Sequence, residues 1–195
     1  VGSEMCIRDR AWTMTSIAFT KGHGTGNDFV LVLDSEGELS LTSKQIAKIC
    51  DRRFGIGADG FIRVVKSSKL SEGKEILETE PAALWFMDYY NADGSAAEMC
   101  GNGIRVFARY LLDRGLAKVE GGSTLAVGTR SGVKDLTQGS NGFAVDLGRW
   151  KLMSEFTVEA NGIEVARPGQ GIEIGNPHVV VALSSAEELK QLKLF

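Results

Sequence analysis

The clearest pattern along the chain is a set of short apolar runs bounded by turn residues. Alternating or β-rich runs occupy residues 15–20, 29–34, 60–66 and 84–90. Runs of this length and composition are typical of β-strands. The first half of the chain therefore predicts four strands.

Two segments between these runs show helical spacing instead. The first spans residues 43–53, behind a capping Thr42 or Ser43. The second follows the motif CGNG and is closed by Gly115. Its wide apolar face predicts a helix packed against a core. The residues of that face are Ile104, Phe107, Ala108, Leu111 and Leu112.

The sequence pattern changes near residue 121. After this point, short β-rich runs are separated by glycine, asparagine or serine every eight to twelve residues. Such spacing is typical of a β-meander or barrel. We therefore predict a first domain over residues 14–120 and a second, partial domain over 121–195. Near the end, Ser185 is a candidate cap for a further helix.

The two ends of the sequence predict a piece of a longer protein. The opening VGSEMCIRDR resembles a translated sequencing adapter, so residues 1–13 are interpreted as a non-native leader and Met14 as the start. The last residues, SSAEELKQLKLF, begin like a helix and then stop. A truncated carboxy-terminal side is the expectation.

Composition and charge narrow the class of protein. Of the 195 residues, 43% are hydrophobic and 24% charged, and the net charge is −3. These values are typical of globular chains, and no apolar run approaches the roughly 20 residues of a membrane span. Lysine and arginine are scattered, which argues against a nucleic-acid binder. Small-molecule chemistry is therefore favoured.

The three cysteines, Cys6, Cys50 and Cys100, are far apart in the sequence. Their number and spacing fit neither a secreted disulfide framework nor a zinc cluster. We therefore expect a reducing, cytoplasmic environment and no metal site.

The most informative stretch is NADGSAAEMCGNGIRVFARYL, residues 91–111, in which Cys100 stands where the second helix should begin. Unpaired amides and the positive end of the helix dipole favour the charged form of a nearby thiol. The same amides can hold a carboxylate. One segment thus supplies a base and an anion clamp, as proton removal next to a carboxylate requires.

A buried, inert cysteine is the alternative interpretation of Cys100. Cys50 lies on the apolar face of the first helix without neighbouring glycines, so we predict that it is a buried, inert cysteine.

Turn motifs supply further polar candidates. Asn91 lies in NADG, Asn27 in GTGND, and Asn176 and His178 in GNPH before an apolar run. Each asparagine is either a turn former or a ligand contact, and the histidine is either structural or a proton carrier. The glycines of GHGTG lack the lysine and hydroxyl of a phosphate loop, so nucleotide binding there is rejected.

Taken in order, GxGND, DRRxGxGADG, NADGSxxxxCGNGxR and GNPH resemble the diaminopimelate epimerase family over residues 14 to about 183. The resemblance implies a cofactor-independent isomerase of lysine and cell-wall precursor synthesis. In that family two cysteines face each other across the substrate α-carbon, one removing a proton and the other returning one. Cys100 matches one of them, and Gly101 and Asn102 match the residues that hold the α-carboxylate.

The resemblance also implies the remaining site and the fold. Asn27, Asn91 and Asn176 match substrate-contacting asparagines, and His178 matches a histidine beside the thiols. The implied fold is α+β, with a mixed β-sheet or barrel wrapped around a central helix in each of two pseudo-symmetric domains. Diaminopimelate is the expected partner, with neither nucleic acid nor membrane, and a homodimer is allowed.

The sequence departs from the family pattern at two places. Some members have a glutamine contact where this chain has Gly60. The family's later part, with a second cysteine in a CGTG-like motif and a Glu-Arg pair, has no counterpart here. Since inversion requires a donor on the other face, the chain alone is expected to be nearly inactive.

Two alternative functions are also consistent with the sequence. Another racemase or isomerase of the same fold would use similar motifs, although the phenazine-type enzymes use a carboxylate in place of a cysteine. A non-catalytic amino-acid-binding module would keep the anion pocket without turnover. The reactivity of the Cys100 thiol separates the module from the enzyme.

Overall fold

The computed structural model describes residues 16–119, 123–140, 142–175 and 177–193. Its larger unit is a seven-stranded mixed sheet in which the strands follow their sequence order. The strands are β1 (Thr20–Gly24), β2 (Asn27–Leu33), β3 (Gly60–Lys66), β4 (Trp85–Asn91), β5 (Thr124–Thr129), β6 (Gly132–Gly139) and β7 (Gly142–Val145).

The described residues include four α-helices, and two of them lie on opposite faces of this sheet. Their bounds are α1 (Ser43–Cys50), α2 (Ser71–Thr79), α3 (Gly101–Asp113) and α4 (Ala186–Gln191). Within the described residues, no helix is long and apolar enough to span a bilayer. The side chains of β2 alternate between a core shared with α3 and a separate core shared with α1. The sheet therefore separates α1 from α3.

The long helix α3 forms one face of the main core. Ile104, Phe107 and Leu111 are fully buried against the sheet, as their spacing predicts. Gly115, with φ +65°, follows the helix end. Strands β1 and β7 are the two edges of the sheet, and a groove of about 680 Å³ lies between them over α3. The sheet thus wraps around the helix as an open half-barrel.

Strand pairing brings three distant segments to one edge of the sheet. β2 runs parallel to β3, with Phe29 opposite Gly60. β3 runs antiparallel to β4, with Gly60 opposite Asn91. The starts of β2 and β3 therefore lie beside the end of β4, and the chain reaches α3 shortly after β4 ends. This edge is where the site is built.

A second, three-stranded antiparallel sheet contains β8 (Lys151–Val158), β9 (Arg167–Glu173) and β10 (Pro177–Val181), in the order β10-β9-β8. The first sheet continues through β5–β7, across the predicted boundary at residue 121, and the second sheet begins at Lys151. The division into two domains stays a prediction. The predicted cap is confirmed at α4, where Ser185 accepts from the backbone N–H of Glu188.

The helix predicted over residues 43–53 ends at Cys50, and the structure differs from the predicted elements in two further places. The described part of the predicted strand 15–20 contains no strand before β1, which begins only at Thr20 and continues through the glycines of GHG. Helix α2 was not predicted; it begins after Leu70 without a side-chain cap and lacks a strong apolar stripe. The predicted non-native leader, residues 1–13, lies outside the described part of the chain.

Candidate active site around Cys100

Cys100 occupies the N-cap position of α3. Its backbone is extended, with φ −138° and ψ 116°, and its Sγ accepts a hydrogen bond from the backbone N–H of Gly103 at 3.4 Å. The thiol in turn donates to Oδ1 of Asn27 at 3.6 Å. The side chain is half-buried, so the sulfur is neither sealed in the core nor freely solvated. The predicted placement of Cys100 at the helix start is confirmed.

The orientation of Asn27 is fixed from behind by a carboxylate. Its Nδ2 donates to Oδ2 of Asp59 at 2.8 Å, which leaves Oδ1 directed at the sulfur. Asp59 also accepts from Arg52 at 2.8 Å, and Arg52 bonds Asp28 at 2.7 Å. The hydrogen bond from Arg52 is the main cause that holds the pKa of Asp28 well below its usual range. An ion network therefore supports Asn27.

The turn of the β1–β2 hairpin braces the start of α3. Thr25 and Gly26 form a two-residue loop in which both φ angles are positive, +52° and +86°. A β-branched residue in this region is strained. The Thr25 hydroxyl lies 3.1 Å from Oδ1 of Asn102 and donates to the carbonyl of Gly24 at 2.7 Å. The strained turn thus lies against the segment predicted to bind the carboxylate.

Gly101, the first residue of α3, borders open space. A Cβ added there would meet no heavy atom within 4 Å. Gly103 is different, because an added Cβ would lie 3.3 Å from Cβ of Cys100 and 3.5 Å from Ile62. Close packing therefore explains the glycine at 103 but not the one at 101.

Asn91 ends β4 and heads the tight NADG turn. Its Nδ2 donates to the Ser95 hydroxyl at 3.0 Å, and its Oδ1 accepts from the Tyr89 hydroxyl at 3.3 Å. Burial is the largest cause that raises the pKa of Tyr89 to about 12, followed by the charge of Cys100. The Tyr89 and Ser95 hydroxyls therefore fix the Asn91 side chain at the end of β4.

Of the GNPH residues, His178 lies on the second sheet. His178 is exposed on β10, opposite Ile172 of β9. Asn176 lies outside the described residues. Gly175 approaches the site, since a Cβ added there would lie 3.8 Å from Cε of Met99. The structure brings Asn27, Asn91, Cys100, Gly101 and Asn102 together at one edge, with His178 on the second sheet.

Known proteins are similar in sequence to most of this chain. A family model described as diaminopimelate epimerase matches residues 19–153. The diaminopimelate epimerase of Corynebacterium glutamicum (strain R) is 44% identical over 186 residues, which cover 92% of this chain. The chain belongs to the diaminopimelate epimerase family. The diaminopimelate epimerase of Streptomyces coelicolor is 46% identical over 179 residues, covering 91% of the chain.

The chain spans 64% of the length of the Corynebacterium diaminopimelate epimerase and 60% of the Streptomyces one. Its fold resembles two solved structures. One is a phenazine biosynthesis protein of the PhzF family from Bacillus anthracis, with a TM-score of 0.59 and 20% identity, covering 91% of this chain and 57% of that one. The other is a hydroxyproline epimerase from Agrobacterium vitis, with a TM-score of 0.58 and 10% identity, covering 88% and 52%. The predicted α+β epimerase fold is confirmed.

Cys50, the other described cysteine, lies on the opposite face of the sheet from α3 and is not part of this candidate site. It ends α1, is 3% exposed, and packs in the core on the sheet face opposite α3. Burial raises the pKa of its thiol. Cys50 is therefore buried in the core, as predicted.

Sequence reasoning missed three side chains at the site: Thr25, Asp59 and Tyr89. The two-residue spacing between Gly24 and Asn27 was a usable signal for the hairpin turn. Asp59 stands in the DRRxGxGADG motif, although nothing local assigns it a role, and Tyr89 gives no local signal. Both reach the site only through the pairing of β2, β3 and β4.

Proposed function

We propose that this chain, which spans 64% of the length of the Corynebacterium relative, is part of a cofactor-independent epimerase that interconverts LL- and meso-diaminopimelate, a precursor of lysine and of the cell wall. The observation that carries the proposal is the Cys100 sulfur at the N-cap of α3, within 3.4 Å of a backbone N–H and 3.6 Å of Asn27. This geometry occurs in a chain that belongs to the diaminopimelate epimerase family.

Substrate binding rests on the helix start. The α-carboxylate approaches the backbone N–H groups of Gly101 and Asn102, where the positive end of the helix dipole favours an anion. The open space beside Gly101 allows this approach. The polar groups of the amino acid are contacted by the three asparagines that match the family motifs, Asn27, Asn91 and Asn176. The carboxylate is thereby held next to the sulfur.

Proton transfer then uses the thiol. The deprotonated Cys100 sulfur takes the α-proton, so that the C–H bond breaks, an S–H bond forms, and the electron pair is delocalised onto the carboxylate. Amide donors aimed at that carboxylate stabilise its growing charge. An acid on the opposite face returns a proton to the α-carbon, which inverts the configuration. His178 is assigned a supporting role in this transfer.

The second acid is not Cys50, which is buried on the other side of the sheet. Loss of a positioned acid or base costs roughly 10²- to 10⁴-fold in rate. We therefore expect the 195-residue chain alone to invert diaminopimelate at least about 100-fold more slowly than a two-base enzyme. The proposal includes a cytoplasmic location, because thiol catalysis needs a reduced Cys100.

Two measurements on the full chain test this proposal. The first follows carbamidomethylation of Cys100 by iodoacetamide with mass spectrometry, with and without diaminopimelate. The second follows α-proton exchange of LL-diaminopimelate in D₂O by NMR. We expect diaminopimelate to protect Cys100, and we expect Cys100→Ala to reduce exchange by roughly 100-fold or more. Cys50→Ala is the matched control and should retain both properties.

The outcomes separate the rivals. Exchange that continues unchanged in Cys100→Ala contradicts the role of Cys100 as a base. Protection of Cys100 without any exchange in the wild-type chain favours the non-catalytic binding module. Protection by hydroxyproline but not by diaminopimelate favours another racemase of the same fold.

A further inference from the structure

Asp88 is a buried carboxylate in the middle of β4. It is 1% exposed, and a buried charge is costly unless it is paired. Two arginines bind its two oxygens: Nε of Arg63 donates to Oδ2 at 2.7 Å, and Nη2 of Arg130 donates to Oδ1. Both arginine side chains are mostly buried. Asp88 thus anchors both guanidinium groups to the sheet.

Arg130 also reaches the loop between β4 and α3, residues 92–100. Its Nη1 donates to the carbonyl of Tyr89 at 2.7 Å and to that of Ala97 at 3.1 Å. The first carbonyl lies near the end of β4 and the second in the loop that folds back on it, where the Ala97 N–H donates to the Tyr89 carbonyl at 3.1 Å. The guanidinium lies over the Tyr90 ring, 4.9 Å from its centroid. Arg130 therefore holds the returning loop against β4.

The loop that Arg130 holds connects two residues of the candidate site. Asn91 ends β4 immediately before the loop, and Cys100 is the last residue of the loop and the cap of α3. Ala97, which Arg130 binds, precedes Cys100 by only three residues. A shift of this part of the loop would therefore change the separation between the Asn91 side chain and the Cys100 sulfur.

Arg130 projects from a hydrogen-bonded turn between β5 and β6. Thr129 pairs with Gly132 across the turn, and its hydroxyl donates to the Gly132 carbonyl at 2.6 Å and accepts from the N–H of Ser131 at 3.2 Å. The turn also approaches the second sheet, since a Cβ added at Gly175 would lie 3.8 Å from the Ser131 hydroxyl. The base of the Arg130 side chain is thus held in place as firmly as its guanidinium.

We infer that Arg130 is a positioning residue of the Cys100 site, whose guanidinium fixes the loop of residues 92–100 against β4 and thereby places the sulfur relative to Asn91. The inference rests on the proposed function for the use made of these two side chains. A counter-ion for Asp88 needs only a positive charge, whereas binding the carboxylate and two carbonyls together uses the planar fork of donors that arginine presents. Lysine at position 130 separates these roles, because it keeps the charge and loses the fork.

The test compares Arg130→Lys with Arg63→Lys in the full chain. Arg63 is the matched control, because it pairs with the same Asp88 but donates to the Leu39 carbonyl at 2.7 Å, on the α1 side of the chain. Residue-resolved amide hydrogen exchange is followed by NMR without diaminopimelate. We expect exchange at Ala97 to become at least about tenfold faster in Arg130→Lys, the effect of losing a hydrogen bond to a charged group, and to stay unchanged in Arg63→Lys. Unchanged exchange at Ala97 in Arg130→Lys, or an equal increase in Arg63→Lys, overturns the inference.

Protection of Cys100 from iodoacetamide then shows whether the fixed loop serves the site. Arg130→Lys should need about tenfold more diaminopimelate for half-protection, which corresponds to about 1.4 kcal/mol, and Arg63→Lys should need the wild-type concentration. Urea unfolding of both variants identifies any loss of stability that they share. Faster exchange at Ala97 with wild-type protection overturns the positioning role. If diaminopimelate fails to protect Cys100 even in the wild-type chain, the proposed function fails, and exchange at Ala97 still decides whether Arg130 fixes the loop.

A measurement on the wild-type chain does not depend on the folding of a variant. The arginines are labelled with ¹⁵N, and the guanidinium resonances of Arg130 are recorded. A guanidinium bound to three oxygens rotates slowly, so we expect separate Nη resonances with nuclear Overhauser contacts to Ala97 and to the Tyr90 ring. A single averaged Nη resonance without these contacts refutes the inference.

Discussion

Replacing Gly101 by alanine should separate folding from ligand binding. The φ angle of Gly101 is not positive, and an added Cβ meets no atom within 4 Å. Alanine is favoured over glycine in a helix by about 0.5–1 kcal/mol. We therefore expect Gly101→Ala to raise the free energy of unfolding by up to about 1 kcal/mol, or to leave it unchanged.

Binding should change in the opposite direction. The new methyl group would stand in the open space through which the proposed carboxylate reaches the N–H groups of Gly101 and Asn102. A hydrogen bond to a charged group contributes about 1.5–3 kcal/mol. Losing one weakens binding by a factor of roughly 10–150. A stabilised chain with impaired binding is the expected combination.

Urea unfolding measures the stability, and protection of Cys100 from iodoacetamide measures diaminopimelate binding. Gly103→Ala is the matched control, since its Cβ would lie 3.3 Å from Cys100 and 3.5 Å from Ile62 in a packed region. We expect that variant to lose stability. If Gly101→Ala binds diaminopimelate as tightly as the wild-type chain, the amide clamp at the start of α3 is refuted.

Three further predictions concern the supports of the site. Asp59→Asn should weaken diaminopimelate binding about tenfold, because an amide group replaces one of the oxygens that fix Asn27 and Arg52; wild-type affinity in the protection assay would contradict this. Because the pKa of Asp28 is lowered in the folded chain, its charged carboxylate stabilises the fold above about pH 4, and this stabilisation is lost as the pH falls further. The free energy of unfolding of Asp28→Asn should therefore fall less steeply with decreasing pH than that of the wild type, as measured by acid unfolding. Thr25→Gly should remove the strain of a positive φ and raise the free energy of unfolding by about 1 kcal/mol, while the loss of the hydroxyl beside Asn102 weakens diaminopimelate binding. A lower stability of this variant in urea would argue against strain at the turn.

Local sequence signals were sufficient for the elements that carry their own caps and periodicity. Thr42 caps α1 in a capping box with Gln45, and the glycine-rich CGNG segment leads into α3, whose buried face follows its 3.6-residue spacing. These features depend on neighbours within a few residues. The position of Cys100 at a helix start could therefore be predicted from the sequence.

The hairpin strand β1 was misplaced because its glycines suggest a loop. In the structure α3 lies directly on this strand, and a Cβ at Gly22 would come within 2.9 Å of Val106, while one at Gly24 would come within 3.0 Å of the Asn102 carbonyl. The glycines thus mark a close approach between strand and helix. This contact joins segments about 80 residues apart in the sequence, so no local pattern could reveal it.

The site residues Asp59 and Tyr89 were missed for a related reason. Their roles depend on register: Gly60 lies opposite Asn91, so the residues before Gly60 and around Asn91 converge on the start of β2. A shift of one residue in either pairing would turn these side chains to the other face of the sheet. The register depends on the packing of the whole sheet, which the sequence of one strand does not encode.

The cap of α3 is itself an argument for chemistry at Cys100. The side chains of Thr42 and Ser185 cap α1 and α4 through oxygen, whereas α3, the helix that carries the main core, is capped by sulfur at 3.4 Å. Sulfur is a weak acceptor, and an oxygen cap contributes about 1 kcal/mol. The weaker cap costs less than the burial of α3 contributes, because each fully buried large apolar side chain stabilises the fold by about 1.5–3 kcal/mol. A weak cap on the best-packed helix is expected where reactivity, and not helix stability, determines the residue.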